Sequence, residues 1–508
     1  MQRVNGATGS SCWVATAPER DGFPALARTH AKYDVAVIGG GIVGVTAALL
    51  LKRAGLNVVV LEAARIGSQV TGGSTAKVTS QHGVIYGHIA EHIGADAADA
   101  YARSNEVALA WISAQVRERA IDCDFEMCDA YTYSAANVRA VEQEVEAAER
   151  LGLPVRLERD LALPVAVEAA VRFERQAQFH PMKYVVALAR ELAERGGQVH
   201  EASRVLDVDS GTPCTLVTEH GKVRADEVIV ATNIPFLDRG GFFGRAFPYR
   251  HMCIAAPVDN DRVPQGMFIS ADSPTRSFRS TRWSDTQRLM LFIGEAFPTG
   301  QADAGEKLRA LEHFAREHFD VAEPLYRWGN QDYYAADRIP YVGPILPGAS
   351  HLRVATGFNA WGITTGTAAA HILADDILGR ENEWAWLYDS KRLGLRAGGR
   401  ELIGKNIGVA KSWLGERLHR APEREPASIE RGEAALTRMN GTTAAAYRDE
   451  EGVLHAFDAR CTHMGCHVRW NGTERSWDCH CHGSRFDVDG RVLQGPAVKP
   501  LQSVSPSG

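Results

Sequence analysis

Four potential metal ligands are concentrated near the C-terminus of this 508-residue chain. Cys461 and His463 lie in one segment, and Cys479 and His482 lie in a second. Two thiolates and two imidazoles suit a [2Fe–2S] centre in which the cysteines bind one iron and the histidines bind the other. Zinc also accepts two cysteines and two histidines. Because the C-x-H and C-x-x-H spacings differ from those of a zinc finger, the pattern favours the iron–sulfur centre.

Each of the two segments contains a further cysteine that this ligand set does not use. Cys466 and Cys481 could form a disulfide that clamps the segments together. Such a bond is unusual in a reducing compartment, but burial beside a cluster could protect it. The neighbouring His467 and His480 are predicted to be exposed rather than to bind metal.

A second pattern that could do chemistry lies near the N-terminus, where Gly39, Gly41 and Gly44 form a G-x-G-x-x-G sequence. Gly39 permits a tight turn, Gly41 lets a pyrophosphate approach the backbone, and Gly44 lets a helix pack on a strand. Glu62 follows by about 20 residues, where a partner for a ribose hydroxyl is expected. The sequence therefore predicts a dinucleotide-binding unit.

Two other loops offer backbone amides and hydroxyls to the same ligand. The first follows Arg65 and contains Ser74, Thr75 and Lys77, and the second spans residues 357–366. The second loop again precedes a predicted helix, whose N-terminus suits an electron-rich group such as a reduced flavin ring. The chain has no second G-x-G-x-x-G. We therefore expect the electron donor to be the substrate rather than a nicotinamide.

These residues need an α/β framework to bring them together. Buried strands are predicted at 35–38, 58–61 and 228–233, with a helix at 42–54. Strand-like segments between residues 245 and 345, interleaved with aromatic and basic residues, predict a second, sheet-based domain that covers the substrate.

Composition excludes several other classes of protein. The chain is 45% hydrophobic and 23% charged, as expected for a globular protein, and its formal net charge of −6 argues against binding to nucleic acid. No stretch is long enough for a membrane span, and the first 30 residues lack a signal-peptide core. We expect a cytoplasmic protein.

Residues 33–380 resemble the glycine/D-amino-acid oxidase (DAO) family of FAD enzymes, and residues 430–508 resemble a Rieske domain. The whole chain is similar to bacterial fusions of the two. The resemblance implies an α/β FAD-binding domain with a sheet-based substrate domain, followed by a small all-β domain. An arm at 1–32 precedes the first domain. Within that domain, the FAD-binding parts are expected at about 33–90, 200–235 and 350–380, and the substrate cap at about 91–199 and 236–349. A docking connector at 381–429 leads to the Rieske domain.

The resemblance also implies the residues that contact the cofactors. The cluster ligands are the four residues named above. The implied FAD contacts are Gly39, Gly41, Gly44, Glu62, Arg65, Ser74, Thr75, Val205, Ala231, Thr232, Gly357, Gly362, Ile363, Thr364 and Thr365. Relatives with covalent flavin carry a cysteine in a stretch that corresponds to residues 326–336, which contain none. Non-covalent FAD is therefore expected.

The substrate side is predicted less sharply, and no catalytic residue is assigned. Glycine-oxidising relatives use an arginine to bind the substrate carboxylate, but alignment on Trp328 and Asp337 places Asp332 there. A carboxylate at that position favours a substrate with a cationic amine. The candidates for substrate contact are Asp332, Tyr334, Arg338, Tyr249 and Lys77.

The resemblance implies a dehydrogenase that oxidises a C–N bond of an amine or amino-acid-like substrate. Electrons would pass from FAD to the cluster and then to an external acceptor such as a ferredoxin, a cytochrome or a quinone-linked carrier. Two alternatives stay open. One is a reductase in which NAD(P)H feeds the flavin, and the other is a non-catalytic redox sensor.

Overall fold

The computed structural model describes residues 9–17, 22–27, 31–346, 348–393, 398–399, 402–407 and 424–504. Much of the predicted connector, including Trp413, lies outside these residues. No helix within the described ranges is both long and apolar enough to cross a membrane.

Ten α-helices are given labels here. They are α1 Cys12–Thr16, α2 Ile42–Arg53, α3 Val70–Gly73, α4 Tyr86–His92, α5 Ala95–Glu118, α6 Val138–Arg150, α7 Pro181–Glu194, α8 Ala304–Phe319, α9 Thr364–Ile377 and α10 Ala385–Tyr388. Short 3₁₀ turns cover Phe242–Gly244, Asn260–Arg262 and Pro426–Ser428, and residues 402–407 are helical.

The 24 labelled strands form four sheets. The strands are β1 Lys32–Ile38, β2 Val58–Leu61, β3 Lys77–Val78, β4 Glu126–Ser134, β5 Val155–Glu158, β6 Ala169–Gln178, β7 Gln198–His200, β8 Val205–Asp209, β9 Cys214–Thr218, β10 Gly221–Val230, β11 Ala246–Asp259, β12 Met267–Ser270, β13 Arg276–Arg282, β14 Gln287–Pro298, β15 Tyr326–Ala335, β16 Tyr341–Pro344, β17 Leu352–Thr356, β18 Ala434–Met439, β19 Thr442–Arg448, β20 Leu454–Asp458, β21 Val468–Asn471, β22 Ser476–Cys479, β23 Arg485–Phe486 and β24 Val492–Gln494.

The first sheet has the order β16-β17-β10-β1-β2-β7, with β8 and β9 added beside β10. Strands β17, β10, β1, β2 and β7 run parallel. Successive residues of β1 enter different apolar cores, Val35 and Val37 on one face and Ala36 and Ile38 on the other. Burial on both faces explains why this strand is a continuous apolar run.

The second sheet has the order β15-β11-β14-β13-β12-β4-β6-β3, with β5 beside β6. Helix α8 covers one face, where its Leu311 and Phe319 pack with Phe278 and Phe292. Strand β15 lies at the edge of this sheet. An edge strand has unpaired backbone groups, and here the Arg327 and Tyr333 carbonyls accept hydrogen bonds from the Gly9 and Asn359 amides.

The limits of the two sheets differ from the expected FAD and cap segments. Helix α7, expected in the cap, belongs to the first layer, because it packs against α2, and β7, at the expected boundary near residue 200, pairs with β2. Strand β16, also expected in the cap, pairs with β17. Within the expected arm, helix α1 buries Trp13.

The C-terminal domain consists of two small antiparallel sheets, β18-β19-β20 and β21-β22-β23-β24. Trp477, Phe486 and Tyr447 fill the core between them. The visible start of the connector is bound to the flavin side, because the Arg392 guanidinium donates to both carboxylate oxygens of Asp337 at 2.8 and 3.1 Å.

Candidate flavin and iron–sulfur sites

A large cavity opens at the carboxyl ends of the parallel strands β1, β2 and β10, with about 1610 Å³ of empty space that includes part of its mouth. Ligands of open α/β sheets bind at this edge. Most of the predicted FAD residues line the cavity: Gly39, Gly41, Glu62, Arg65, Ser74, Thr75, Val205, Ala231, Thr232, Gly362, Ile363 and Thr364. Gly44, Gly357 and Thr365 do not line it.

The glycine turn between β1 and α2 leaves no room for side chains. Gly39 has φ +107°, and a Cβ there would overlap the carbonyl oxygen of Ala231. A Cβ at Gly44 would overlap the carbonyl oxygen of Gly39, so Gly44 acts through helix packing without touching the cavity. Gly41 is the N-cap of α2, and the Ile42 amide at the start of the helix donates to the Thr71 hydroxyl at 3.1 Å. The positive end of the helix dipole still faces the cavity, which suits an anionic ligand.

Glu62 closes the same end of the cavity. Its carboxylate accepts hydrogen bonds from the amides of Gly40 and Ala64, each at 2.7 Å. Burial raises the pKa of this carboxyl, and the two amide donors act in the opposite direction. The carboxylate is therefore fixed in place at the end of β2, where it can accept a bond from a ribose hydroxyl.

The other end of the cavity contains a histidine that the sequence did not reveal. His82 bonds to the Tyr101 hydroxyl at 2.7 Å and to the Thr79 carbonyl at 2.9 Å. Its ring stacks on Trp361 with centroids 4.8 Å apart. Burial lowers the pKa of His82 to about 3, so the ring is neutral at ordinary pH. The sequence alone does not single out His82, because Trp361, on which its ring stacks, is distant in the chain.

Two ionisable candidates for substrate contact line this end. Lys77 is buried, and its Nζ donates to the Phe268 carbonyl at 2.8 Å. Burial, with the Arg279 charge as a second cause, lowers the pKa of Lys77 to about 7. A lysine in this state can exchange a proton near neutral pH.

Asp332 is the second ionisable candidate and is 3% exposed. Its Oδ2 accepts from the Ala360 amide at 2.6 Å, whereas its Oδ1 has no hydrogen-bond partner among the residues that the structure describes. Burial raises the pKa of Asp332 to about 6. An incompletely bonded buried carboxylate that faces a cavity is suited to bind a cationic group.

Strands β11 and β15 form a wall with different partners on its two faces. Asn330 and Asp332 of β15 line the cavity. The alternate residues face the C-terminal domain, where Gln331 Nε2 donates to the Gly483 carbonyl at 2.8 Å and the Tyr333 hydroxyl donates to the His482 carbonyl at 2.9 Å. Since successive side chains of a strand point to opposite faces, the wall contacts both sites at once.

The remaining substrate candidates are arranged differently. Tyr249, opposite Asp332 in the sheet, packs on Tyr334 with ring centroids 5.1 Å apart, and the Tyr334 hydroxyl bonds to His251 at 2.9 Å. Neither tyrosine lines the cavity directly. Arg338 lies beyond the end of β15 with φ +63° and is exposed, so the structure does not bring it to the cavity.

The two cysteine-histidine segments form similar loops. The Cys461 amide donates to the Cys466 carbonyl at 2.8 Å, and the Cys479 amide donates to the Ser484 carbonyl at 2.8 Å. Each loop also contains a glycine with positive φ. The Gly465 amide donates to the Cys461 carbonyl, and the Gly483 amide donates to the Cys479 carbonyl, each at 2.9 Å. Cys461 and Cys479 are both buried free thiols in the same apolar cluster, which suits binding to one iron.

A disulfide between Cys466 and Cys481 joins the loops, with their Cα atoms 6.5 Å apart. These two sulfurs also lie within 4.8 Å of Cys479 Sγ. Because the disulfide removes Cys466 and Cys481 as ligands, Cys479 must share a metal with residues outside this trio.

The predicted histidine ligands lie together, with ring centroids 5.1 Å apart. His482 Nδ1 is buried and has no hydrogen-bond partner among the described residues. His463 Nε2 bonds to Asp238, so its Nδ1 is left for a metal. The donor atoms therefore fit a [2Fe–2S] cluster. His480, predicted to be exposed, is wrongly assigned: it is 4% exposed, because the turn at Gly300 packs against it.

The C-terminal domain also contributes to the first cavity. Leu493, Gln494, Gly495, Ala497 and Val498 are part of its lining. The candidate flavin and cluster sites therefore share a boundary within one chain.

Comparison with known families decides between the metals. Residues 34–376 match the model of the FAD dependent oxidoreductase (DAO) family, and residues 420–505 match that of the Rieske [2Fe-2S] domain. The chain belongs to the DAO family of FAD-dependent oxidoreductases. It carries a Rieske domain at its C-terminus, and its cofactors are FAD and a [2Fe–2S] cluster. The predicted family, fold class and cofactors are confirmed.

Three similar proteins support this assignment. The putative Rieske 2Fe-2S iron-sulfur protein YhfW of Bacillus subtilis (strain 168) is 35% identical over 493 residues, which cover 96% of each chain. Gamma-glutamylputrescine oxidoreductase of Escherichia coli (strain K12) is 28% identical over 73% of this chain and 89% of its own. Glycine oxidase from Geobacillus kaustophilus shares the fold, with 18% identity, a TM-score of 0.58, and coverage of 72% of this chain and 99% of its own.

Proposed function

We propose that this DAO-family oxidoreductase is a dehydrogenase of amines or amino-acid-like compounds that passes electrons through its Rieske cluster to an external carrier. The observation that carries the proposal is the β11–β15 wall. One face of β15 lines the cavity through Asp332, and the other face binds the His482 carbonyl through Tyr333. A flavin reaction and a cluster so close together within one chain favour direct electron transfer over two separate functions.

The electrons of the proposed oxidation are accounted for without a nicotinamide nucleotide. Bound FAD supplies a hydride acceptor, and the [2Fe–2S] cluster supplies a one-electron carrier. The substrate C–H bond breaks with loss of a hydride, the nitrogen forms a C=N double bond, and water hydrolyses the imine to a carbonyl compound and an amine or ammonia. The two electrons leave one at a time through the cluster, to two molecules of a one-electron carrier such as a ferredoxin or cytochrome or to one quinone-linked carrier, and two protons are released.

Particular residues support an amine as substrate. The Asp332 carboxylate, with its free Oδ1, would bind the cationic nitrogen, and Lys77 could take up a proton as the amine becomes neutral. The arginines that line the cavity, Arg65 and Arg204, lie beside Glu62 and Val205 rather than beside Asp332. The name of the gamma-glutamylputrescine oxidoreductase also favours a nitrogen-bearing substrate.

Anaerobic mixing tests the substrate class. Purified protein is mixed with a panel of amines, amino acids and N-methylated compounds, and the absorbance of oxidised flavin is followed. We expect bleaching by members of the panel and no rapid bleaching by NADH. Rapid bleaching by NADH alone would favour a nicotinamide-fed reductase instead.

A cluster variant tests the relay. His482→Ala should remove the cluster but leave the flavin reducible by substrate, because the cavity is formed mainly by the other domain. The steady-state rate of turnover with an external electron carrier should fall to near zero. His467→Ala, which changes a histidine outside the ligand set, is the control and should keep both activities. Full carrier turnover in a cluster-free His482→Ala protein would refute the relay.

A further inference from the structure

We propose that Asp238, from the FAD-dependent oxidoreductase domain, is a positioning residue for the Rieske cluster that orients His463 and lowers the cluster's reduction potential. Asp238 Oδ1 lies 2.7 Å from His463 Nε2. The two residues are 225 positions apart and belong to different domains. No motif in the sequence indicates this contact.

The contact determines which nitrogen of His463 can bind iron. With Nε2–H donated to the carboxylate, Nδ1 is the free ligand atom. A carboxylate that accepts a bond from a metal-bound histidine fixes the tautomer and ring orientation and makes the imidazole a stronger donor. The His463 side chain is only 5% exposed, so its orientation depends on these contacts.

Phe243 completes the same arrangement. Its ring meets His463 and His482 edge-on, with centroid distances of 5.8 and 5.1 Å. The histidine edge of the cluster site is thus covered by the FAD-dependent oxidoreductase domain. Asp238 and Phe243 lie just after Thr232 and Phe236, which line the flavin cavity. One short segment therefore contacts both cofactor sites.

The sign of the effect follows from charge. Reduction adds an electron to the cluster, and a nearby negative carboxylate disfavours the added charge. Stronger donation from the His463 imidazole acts in the same direction. The native Asp238 should therefore lower the potential. Because its carboxylate is 60% exposed, solvent and salt should weaken the effect.

The test is the midpoint potential of the holoprotein, followed by electron paramagnetic resonance in a redox titration without substrate. Asp238→Asn keeps an acceptor oxygen but loses the charge, and Asp238→Ala loses both. We expect both to raise the potential, with a shift of about tenfold in the reduction equilibrium for Asp238→Asn, or about 59 mV for one electron. Asp160→Asn changes the net charge equally at an exposed site in the cap and should leave the potential unchanged.

Potentials of both Asp238 variants equal to the Asp160→Asn control would overturn the proposal. If Asp238→Ala does not retain its cluster, Asp238→Asn decides alone. The effect of Asp238 on the potential does not require the proposed relay; only its importance for electron transfer during turnover rests on that proposed function. Because the potential is measured without substrate, a protein that no amine reduces could still show the shift, and the two hypotheses can fail separately.

Discussion

At the scale of single residues, motif spacing identified groups that the structure brings together, whereas fewer of the predicted substrate contacts line the cavity. Gly39 and Glu62 meet in one cavity because each directly follows a parallel strand of the same sheet. Cys461 and Cys479 meet because two similar loops are joined by a disulfide. Asp238 and His82 have their partners far away in the chain, so no local pattern could reveal them.

Asp332 should control the pH dependence of substrate use. Its pKa of about 6 means that the carboxyl is neutral below that pH and charged above it. For a cationic amine, kcat/KM should therefore fall as the pH falls through about 6. In Asp332→Asn the part of the decline near pH 6 should disappear, whereas a decline near pH 7 from protonation of Lys77 should remain. At pH 8, kcat/KM should drop by roughly 30-fold, because losing one partner of a buried charge pair costs about 2 kcal/mol or more.

The measurement is anaerobic flavin reduction over a range of pH, with flavin content checked by absorbance. Asp160→Asn is the control, because that residue is exposed and outside the cavity. An acid-side decline that persists unchanged in Asp332→Asn would assign the titration to another group.

At the scale of elements, local patterns predicted the strand-turn-helix unit well. Helix α2 and strand β2 start where their apolar runs start, because the glycine turn and the buried sheet determine both limits. The cap limits were placed less well, since α7 and β16 join the first layer through long-range contacts. Sequence alone also did not show that β15 serves two sites, because its polar and aromatic residues could belong to any sheet face.

Gly329, in the wall strand β15, tests how tightly the Rieske domain is docked. A Cβ at this position would overlap Arg250 Nη2 and come within 2.7 Å of Glu474 Oε1. Arg250 is fully buried and binds Glu474 of the Rieske domain at 2.5 Å. Gly329→Ala should therefore displace this pair and lower the free energy of unfolding by about 1–3 kcal/mol, as overpacking does.

Urea denaturation followed by cluster absorbance and tryptophan fluorescence measures this loss. Gly404→Ala is the matched control, since a Cβ there meets open space within a helical segment. Equal stability of the two variants would show that the domain boundary can relax around a methyl group.

At the scale of the whole molecule, the histidine edge of the cluster site faces the protein's own flavin domain. Tyr333, Phe243 and Asp238 cover it from that side. If the proposed relay operates, an external carrier would have to approach the Rieske domain from another direction. The sequence predicted two cofactors in one chain, but their shared boundary depends on contacts between domains that motif analysis does not include.

Cofactor content provides a test at this scale. The purified protein should contain one FAD and two irons per chain, as expected for one dinucleotide site and one [2Fe–2S] cluster. Because residues 326–336 contain no cysteine, acid or heat should release the FAD into the supernatant. Flavin absorbance that stays with the precipitated chain would contradict this, and zinc in place of iron would contradict the ligand assignment.

The alternation along β15 restricts how this stretch can change in evolution. Asn330 and Asp332 face the flavin cavity, whereas Gln331 and Tyr333 face the Rieske loop. A point substitution can alter one side without touching the other. Insertion or deletion of one residue would exchange the sides and place each side chain in the wrong compartment. Related proteins should therefore vary here in residue type but keep the length of the strand constant.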